Sequence, residues 1–165
     1  MPTTIRDYGP GDEAFILRLN ADCTPEVGDM DAGRFAQIRE AAHRILVAQV
    51  GGEPAGFLIL LRAGAPYDSD NYAWFEERFD SHLYVDRVAI DEMSRGEGIG
   101  AALYETAFQL AREAGEARVT AEVNEMPPNP ASLAFHDRMG FISLGTRFSN
   151  AGKTVVLLER PVAAS

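Results

Sequence analysis

The sequence predicts an α/β protein arranged around one sheet. Three observations carry that expectation. Strand-type and helix-type spacings of apolar residues take turns along the chain in the order β-α-α-β-β-β-α-β-α-β-β. Clusters of glycine, proline and asparagine separate these segments. A chain of 165 residues, 46% hydrophobic and 24% charged, suffices for one well-buried core, with neither repeats nor low-complexity stretches to divide it. A single domain over residues 1–165 is expected.

Residues 3–7 read as a strand, closed by the loop signal Gly9-Pro10-Gly11. Ala14, Phe15, Leu17 and Leu19 predict a helix over 12–21, and a second covers 31–42. Segments 43–50 and 55–62 flank the turn Gly51-Gly52-Glu53-Pro54 and predict a hairpin. The polar-aromatic stretch AGAPYDSDNYAWFEERFDSH is read as a connection with a helical turn near Trp74. Residues 82–90, rich in β-branched and aromatic side chains, predict a strand. Ala102, Leu103, Ala107, Leu110 and Ala111 share one helical face and predict a helix over 100–115, ended by Gly115. A strand over 117–123, a helix over 131–139 stopped by Gly140, and strands over 141–148 and 154–158 complete the chain.

The formal net charge of −10 argues against general nucleic-acid binding, which needs cationic side chains to neutralise phosphates. It suits a cationic or amine-bearing partner, or serves solubility alone. Phe57-Leu58-Ile59-Leu60-Leu61 is the longest apolar run, far short of a membrane span. The N-terminal MPTTIRDYGPGDEA has no signal-peptide character. Cys23 is the single cysteine, which excludes an internal disulfide and a cysteine-based metal site. No His/Asp/Glu cluster has metal-ligand spacing, and no G-x-S-x-G or Cys–His pattern points to a nucleophilic hydrolase. A cytoplasmic protein with no metal, membrane or nucleic-acid partner is expected.

Between the strand over 82–90 and the helix over 100–115 stands Arg95-Gly96-Glu97-Gly98-Ile99-Gly100-Ala101. Glycines let the backbone approach a ligand and adopt positive φ, and a helix N-terminus offers N–H groups to an anion. The segment therefore predicts a phosphate or pyrophosphate cradle. Gly96 to Ala101 also fits the dinucleotide fingerprint, and Glu122 lies where a ribose-binding acid belongs. The repeated βαβ units of that fold are missing: a hairpin precedes the glycines and another follows.

A second motif decides between them. NPASLAFHDRMGF, residues 129–141, follows the glycine loop by about thirty residues. The pair resembles the GCN5-related N-acetyltransferase superfamily, the first motif its Q/R-x-x-G-x-G/A pyrophosphate loop and the second its N-x-x-A/S-x-x-F/L-Y/H-x-x-x-G-F signature. The element order agrees over nearly the whole chain. The resemblance implies the acyl-CoA N-acyltransferase fold: one central mixed, mostly antiparallel sheet of six to seven strands, flanked by about four helices and splayed at the strands over 82–90 and 117–123. It implies direct transfer of an acetyl group from acetyl-CoA to a primary amine of a small molecule or peptide. An acyl-CoA-binding module without catalysis is the alternative on the same fold.

By the same resemblance, Val88, Ala89 and Ile90 pair with the pantetheine arm. Arg95, Gly96, Glu97, Gly98, Ile99, Gly100 and Ala101 hold the pyrophosphate, while Asn129 and Phe135 contact the cofactor. His136 stands where many members carry a tyrosine as general acid; a histidine there can donate a proton or merely pack beside the cofactor. A general base must free the amine of its proton. Glu122 and Asp86 are the candidates, with structural salt bridges to Arg118 or Arg87 as the alternative. Tyr84, Tyr72, Trp74 and Asn124 are candidate acceptor-site residues, since aromatics beside carboxylates can hold a cationic amine. Met126-Pro127-Pro128 is expected to form a rigid bulge. His43 and His82 are read as structural or surface residues. A monomer or a homodimer through the C-terminal strands is expected.

Overall fold

The computed structural model describes residues 2–163; Met1, Ala164 and Ser165 of the expected domain lie outside the described residues. Its strands are β1 (Thr3–Asp7), β2 (Arg44–Val50), β3 (Glu53–Arg62), β4 (Leu83–Ile90), β5 (Arg118–Met126), β6 (Ile142–Phe148) and β7 (Thr154–Pro161). They form one seven-stranded sheet in the order β1-β2-β3-β4-β5-β7-β6. The helices are α1 (Glu13–Asp22), α2 (Ala32–Ala41), α3 (Asp70–Arg78), α4 (Ile99–Glu113) and α5 (Pro130–Arg138). The mixed α/β class is as expected, with five helices in place of about four. The added one is α3, where a single turn was expected. Ser69 caps it by accepting from Tyr72 N at 3.2 Å, and Tyr72 and Phe75 give it one buried edge. Nine mostly polar residues carry too little periodic signal to show this in sequence.

The β1–β2 and β2–β3 ladders are antiparallel, as are β5–β7 and β6–β7. β4 and β5 run parallel through Leu83↔Val119 and Tyr84↔Thr120. That ladder is two rungs long between strands of eight and nine residues, as a splayed pair requires. β5 keeps its register with β7 until an irregularity between Asn124 and Met126, one step ahead of the bulge expected at the prolines. Among the described residues, no helix is long and apolar enough to cross a membrane.

Packing divides the chain into two compact units. The first holds everything up to Leu61 together with Asp86–Ala107. Its hairpin turns on Gly51 and Gly52, with φ of 59° and 84°, the positive values that a two-residue β-turn of this hand demands. Its core takes Ile16 from α1, Phe35 and Ile38 from α2, and Leu46, Val47 and Phe57 from the hairpin. Asp12, buried before α1, accepts two hydrogen bonds from Arg6 at 2.7 and 2.8 Å and one from Gly9 N at 2.8 Å. The Arg6 bonds outweigh desolvation and hold its carboxyl below the ordinary range.

The second unit joins Arg62–Val85 to the chain from Phe108 on. Phe108 of α4 packs on Phe141, with ring centroids 6.0 Å apart, and the Arg160 guanidinium lies over Phe108 at 4.5 Å. Asp70, at the start of α3, accepts from Arg147 of β6 at 2.8 Å and from Asn150 N at 2.7 Å, fixing the helix to the β6–β7 hairpin.

Candidate active site

In the first unit, β4 leaves the sheet at Asp91, whose N–H donates to Ala55 O at 2.8 Å. One 3-10 turn over Glu92–Ser94 follows, held by the Asp91 carboxylate accepting from Met93 N at 3.1 Å. The chain then passes through Gly96 and Gly98 at φ of 90° and 76°. Ala102 N donates to Gly98 O at 3.0 Å, the first i→i−4 bond of α4. Gly98 is thus the N-cap, and the N–H groups of Gly98, Ile99, Gly100 and Ala101 stand ahead of any intrahelical acceptor. Residues 95–98 are exposed, and a Cβ built at Gly96 or Gly98 would meet nothing within 4 Å. Unpaired N–H groups at a helix N-terminus, reached through two glycines with space at their Cβ positions, fit a diphosphate.

Behind the loop the packing is tight. A Cβ at Gly56 of β3 would lie 3.0 Å from Ala89 O, 3.3 Å from Ile99 Cγ2 and 3.6 Å from Ile90 Cα. Only a glycine lets β3 close on the end of β4 and the first turn of α4. Val88 and Ile90 are half-buried and Ala89 is buried. The Arg95 side chain approaches Cys23, whose Sγ donates to Ile90 O at 3.9 Å; burial raises the thiol pKa and the Arg95 charge opposes it.

Asp86, one of the two candidate bases, is in the same unit. Arg87 Nε donates to its Oδ2 at 2.7 Å, with 4% of the Asp86 side chain and 9% of the Arg87 side chain exposed. Arg87 Nη1 also donates to Asn20 Oδ1 at 3.1 Å and to Gly28 O at 3.0 Å, and Asn20 Nδ2 donates to Gly28 O at 2.9 Å. The ion pair therefore belongs to a network that ties the loop after α1 to β4. This is the structural salt bridge weighed from sequence.

The second unit holds Glu122, the other candidate base. Tyr84 of β4 is fully buried and its hydroxyl donates to Glu122 Oε1 of β5 at 2.5 Å. Arg118 does not pair with Glu122; it pairs with Glu159 at 3.1 Å. Two residues back along each segment, just before β4, His82 Nδ1 lies 2.9 Å from Thr120 Oγ1, and His82 Nε2 lies 2.7 Å from Glu76 Oε1 of α3. The rings of Tyr72 and Phe75 cover this row, 5.2 and 5.7 Å from the Tyr84 ring. Sequence reading treated His82 as structural or surface and passed over Thr120. The signal for both was the period of two: His82 precedes Tyr84 by two positions, and Thr120 precedes Glu122 by two.

The remaining expected residues spread through this unit. Tyr72 is buried; its hydroxyl donates to Arg62 O at 2.5 Å and accepts from Ala65 N at 3.0 Å, and burial first of all pushes its pKa to about 12. Trp74 is half-buried with the Arg78 guanidinium over its ring at 3.7 Å, and Asn124 is buried beside the irregularity in β5. Asn129 is the N-cap of α5, yet its side chain makes no capping bond, which leaves its amide for other use. Phe135 is half-buried against the edge of the His136 ring at 5.6 Å. His136, 3% exposed, has Nδ1 2.7 Å from Ser132 O. A carbonyl only accepts, so Nδ1 carries the proton. Desolvation lowers the His136 pKa against the opposing Ser132 bond, and the ring is neutral at pH 7 with Nε2 an acceptor. Among the described residues, no group of three or more His, Cys, Asp and Glu side chains could hold a metal ion.

Residues 14–141 match the model of the acetyltransferase (GNAT) family, a match that runs through both units. This chain belongs to that family. Solved structures with the same fold include Ard1 from Thermoplasma volcanium, at 19% identity, 99% coverage of each chain and a TM-score of 0.80. The ribosomal-protein-S18-alanine N-acetyltransferase from Escherichia coli superposes at a TM-score of 0.75 and 17% identity, over 99% of this chain and 96% of that one. The putative acetyltransferase yncA from Salmonella typhimurium, solved with its cofactor acetyl-CoA, gives 0.71 at 16% identity, over 100% and 96%. No curated protein matches this chain.

Proposed function

We propose that the chain works as one acetyltransferase domain, using acetyl-CoA to acetylate a primary amine of a small molecule or peptide. The observation that carries this is the glycine loop. Two positive-φ glycines in an exposed turn, with space at their Cβ positions and the start of α4 behind them, support a diphosphate cradle within a family match to acetyltransferases. The N–H groups of Gly98 to Ala101 bind the pyrophosphate, Arg95 adds charge, and Val88 to Ile90 offer backbone groups to the pantetheine arm. Asn129 and Phe135 are assigned further cofactor contacts. When bound, acetyl-CoA supplies the thioester from which the amine nitrogen takes the acetyl group as the carbon–sulfur bond breaks.

Glu122 is assigned as the base that takes the ammonium proton, with the Tyr84 hydroxyl fixing its Oε1. Asp86 is assigned to the Arg87 network instead. His136, neutral and protonated on Nδ1, is assigned to packing and to accepting a hydrogen bond on Nε2; in that state Nε2 has no proton to give a thiolate. The formal net charge of −10 favours amines that arrive as cations.

Isothermal titration with acetyl-CoA, CoA and NADH, on the wild type and on Gly98→Trp, tests the cofactor. Acetyl-CoA and CoA should bind the wild type, NADH should not, and Gly98→Trp should abolish binding without lowering the melting temperature by more than a few degrees. NADH binding with CoA silent would overturn the reading. Acetyl-CoA binding without transfer to any amine in a screen would reduce it to a binding module.

A further inference from the structure

Resting on the assignment of Glu122 as base, we infer that His82 is a positioning residue that, with Glu76 and Thr120, sets the orientation of the Tyr84–Glu122 pair. A histidine with no exposed surface must satisfy both ring nitrogens within the protein. His82 does so with partners on two other elements: Glu76 of α3 at 2.7 Å and Thr120 of β5 at 2.9 Å. Nε2 thus meets a carboxylate oxygen and Nδ1 a hydroxyl that can turn to suit the ring. The other Glu76 oxygen accepts from Gly64 N at 2.8 Å, so one carboxylate anchors both the loop after β3 and the histidine.

This chain of bonds fixes α3 over the two rungs where β4 and β5 pair. α3 in turn presents Tyr72 and Phe75, whose rings touch both His82, at 5.9 and 6.2 Å, and Tyr84, at 5.2 and 5.7 Å. Tyr84 thus has its ring held by residues that His82 also touches, and its hydroxyl donates to Glu122 Oε1. Thr120 and Glu122 lie two apart on one strand face, so a shift at the first moves the second. A proton acceptor displaced by about 1 Å can lose up to ~100-fold in rate, which is why such a support matters.

Thr120→Val tests this most cleanly, since it keeps the volume and removes the hydroxyl; Thr120→Ser restores the hydroxyl, and His82→Leu is the harsher variant. The first readout is the ring ¹³Cζ resonance of Tyr84, assigned with Tyr84→Phe. The second is thiol release from acetyl-CoA with spermine as the probe amine. Thr120→Val should shift the Tyr84 resonance and lower kcat on the order of tenfold with KM for acetyl-CoA unchanged, and Thr120→Ser should recover most of both. A folded Thr120→Val with an unmoved Tyr84 resonance would overturn the inference. If the wild type transfers to no amine, the assignment of function fails, and the Tyr84 resonance still decides whether His82 and Thr120 position that residue.

Discussion

In the segment from Asp91 to Ala101 the polar groups set out are backbone N–H, on a turn exposed at residues 95–98. Around Tyr84 and Glu122 they are side-chain groups, with Tyr84 and His82 fully buried, Glu122 half-buried, and bonds running from Tyr84 to Glu122 and from His82 to Thr120 and Glu76. The first is built by conformation, so its side chains are mostly replaceable and its glycines are not. The second is built by side-chain identity, so a change of one atom is felt. Glu122→Gln, which keeps size and removes the basic oxygen, should lower kcat by ~10²–10⁴-fold while the acetyl-CoA Kd measured by titration stays put. Glu97→Gln, an equal change on the exposed loop, should leave kcat near the wild-type value. Equal losses in the two variants would erase the distinction.

The Arg87 network extends the comparison to stability. Removing one partner of a buried ion pair costs ~3–5 kcal/mol, and Asp86→Asn belongs at the lower end because Arg87 keeps Asn20 and Gly28 O. Chemical denaturation should show that loss, with kcat of the folded fraction close to wild type. A variant that folds as well as the wild type but has lost transfer would return Asp86 to the role of base.

How far each region could be read from sequence follows from the same difference. A turn with positive φ at fixed offsets needs glycines there, so Gly96, Gly98 and the helix beyond were legible, and φ of 90° and 76° is the reason those residues stand there. The hairpin and the two C-terminal strands were legible because apolar, β-branched runs flank clear turn signals, Gly51-Gly52 and Asn150-Ala151-Gly152-Lys153. The Tyr84–Glu122 pair was half legible: both residues were candidates, but their contact depends on the register Tyr84↔Thr120, which no local pattern encodes. His82 was read as structural or surface and α3 as a single turn near Trp74; the partners of the one and the length of the other were not legible. The helix is short and polar, and a lone histidine shows its partners only once Glu76 and Thr120 are brought to it from six positions before and 38 positions after. Asp86 and Glu122 looked alike as candidate bases; only the neighbouring Arg87 Nε and Tyr84 Oη set them apart.

Tight packing behind the loop gives a smaller effect. Gly56→Ala puts a Cβ 3.0 Å from a backbone carbonyl, and overpacking of this kind costs ~1–3 kcal/mol, or roughly 2–10 °C in Tm for a chain of this size. Because the displaced atoms belong to Ala89, Ile90 and Ile99, acetyl-CoA affinity should fall with stability. Gly98→Ala has open space and pays only for its positive φ, ~1 kcal/mol. The reverse ranking would mean that the loop, not the strand behind it, sets the geometry.

The smallest effect is a slope. The folded pKa of His136 lies below its ordinary 6.5, chiefly through burial, so the unfolded chain binds the extra proton first as pH falls. Its contribution to stability is intact above about 6.5 and is lost as pH drops from there through the folded value. The stability of the wild type minus that of His136→Gln should therefore be flat between pH 7 and 8 and decline below 6.5, by no more than ~1.4 kcal/mol per pH unit. Urea titrations of both proteins at half-unit steps read it directly. A difference that instead grew toward acid pH would mean that the imidazolium is the favoured form in the fold, and would restore His136 as a proton donor.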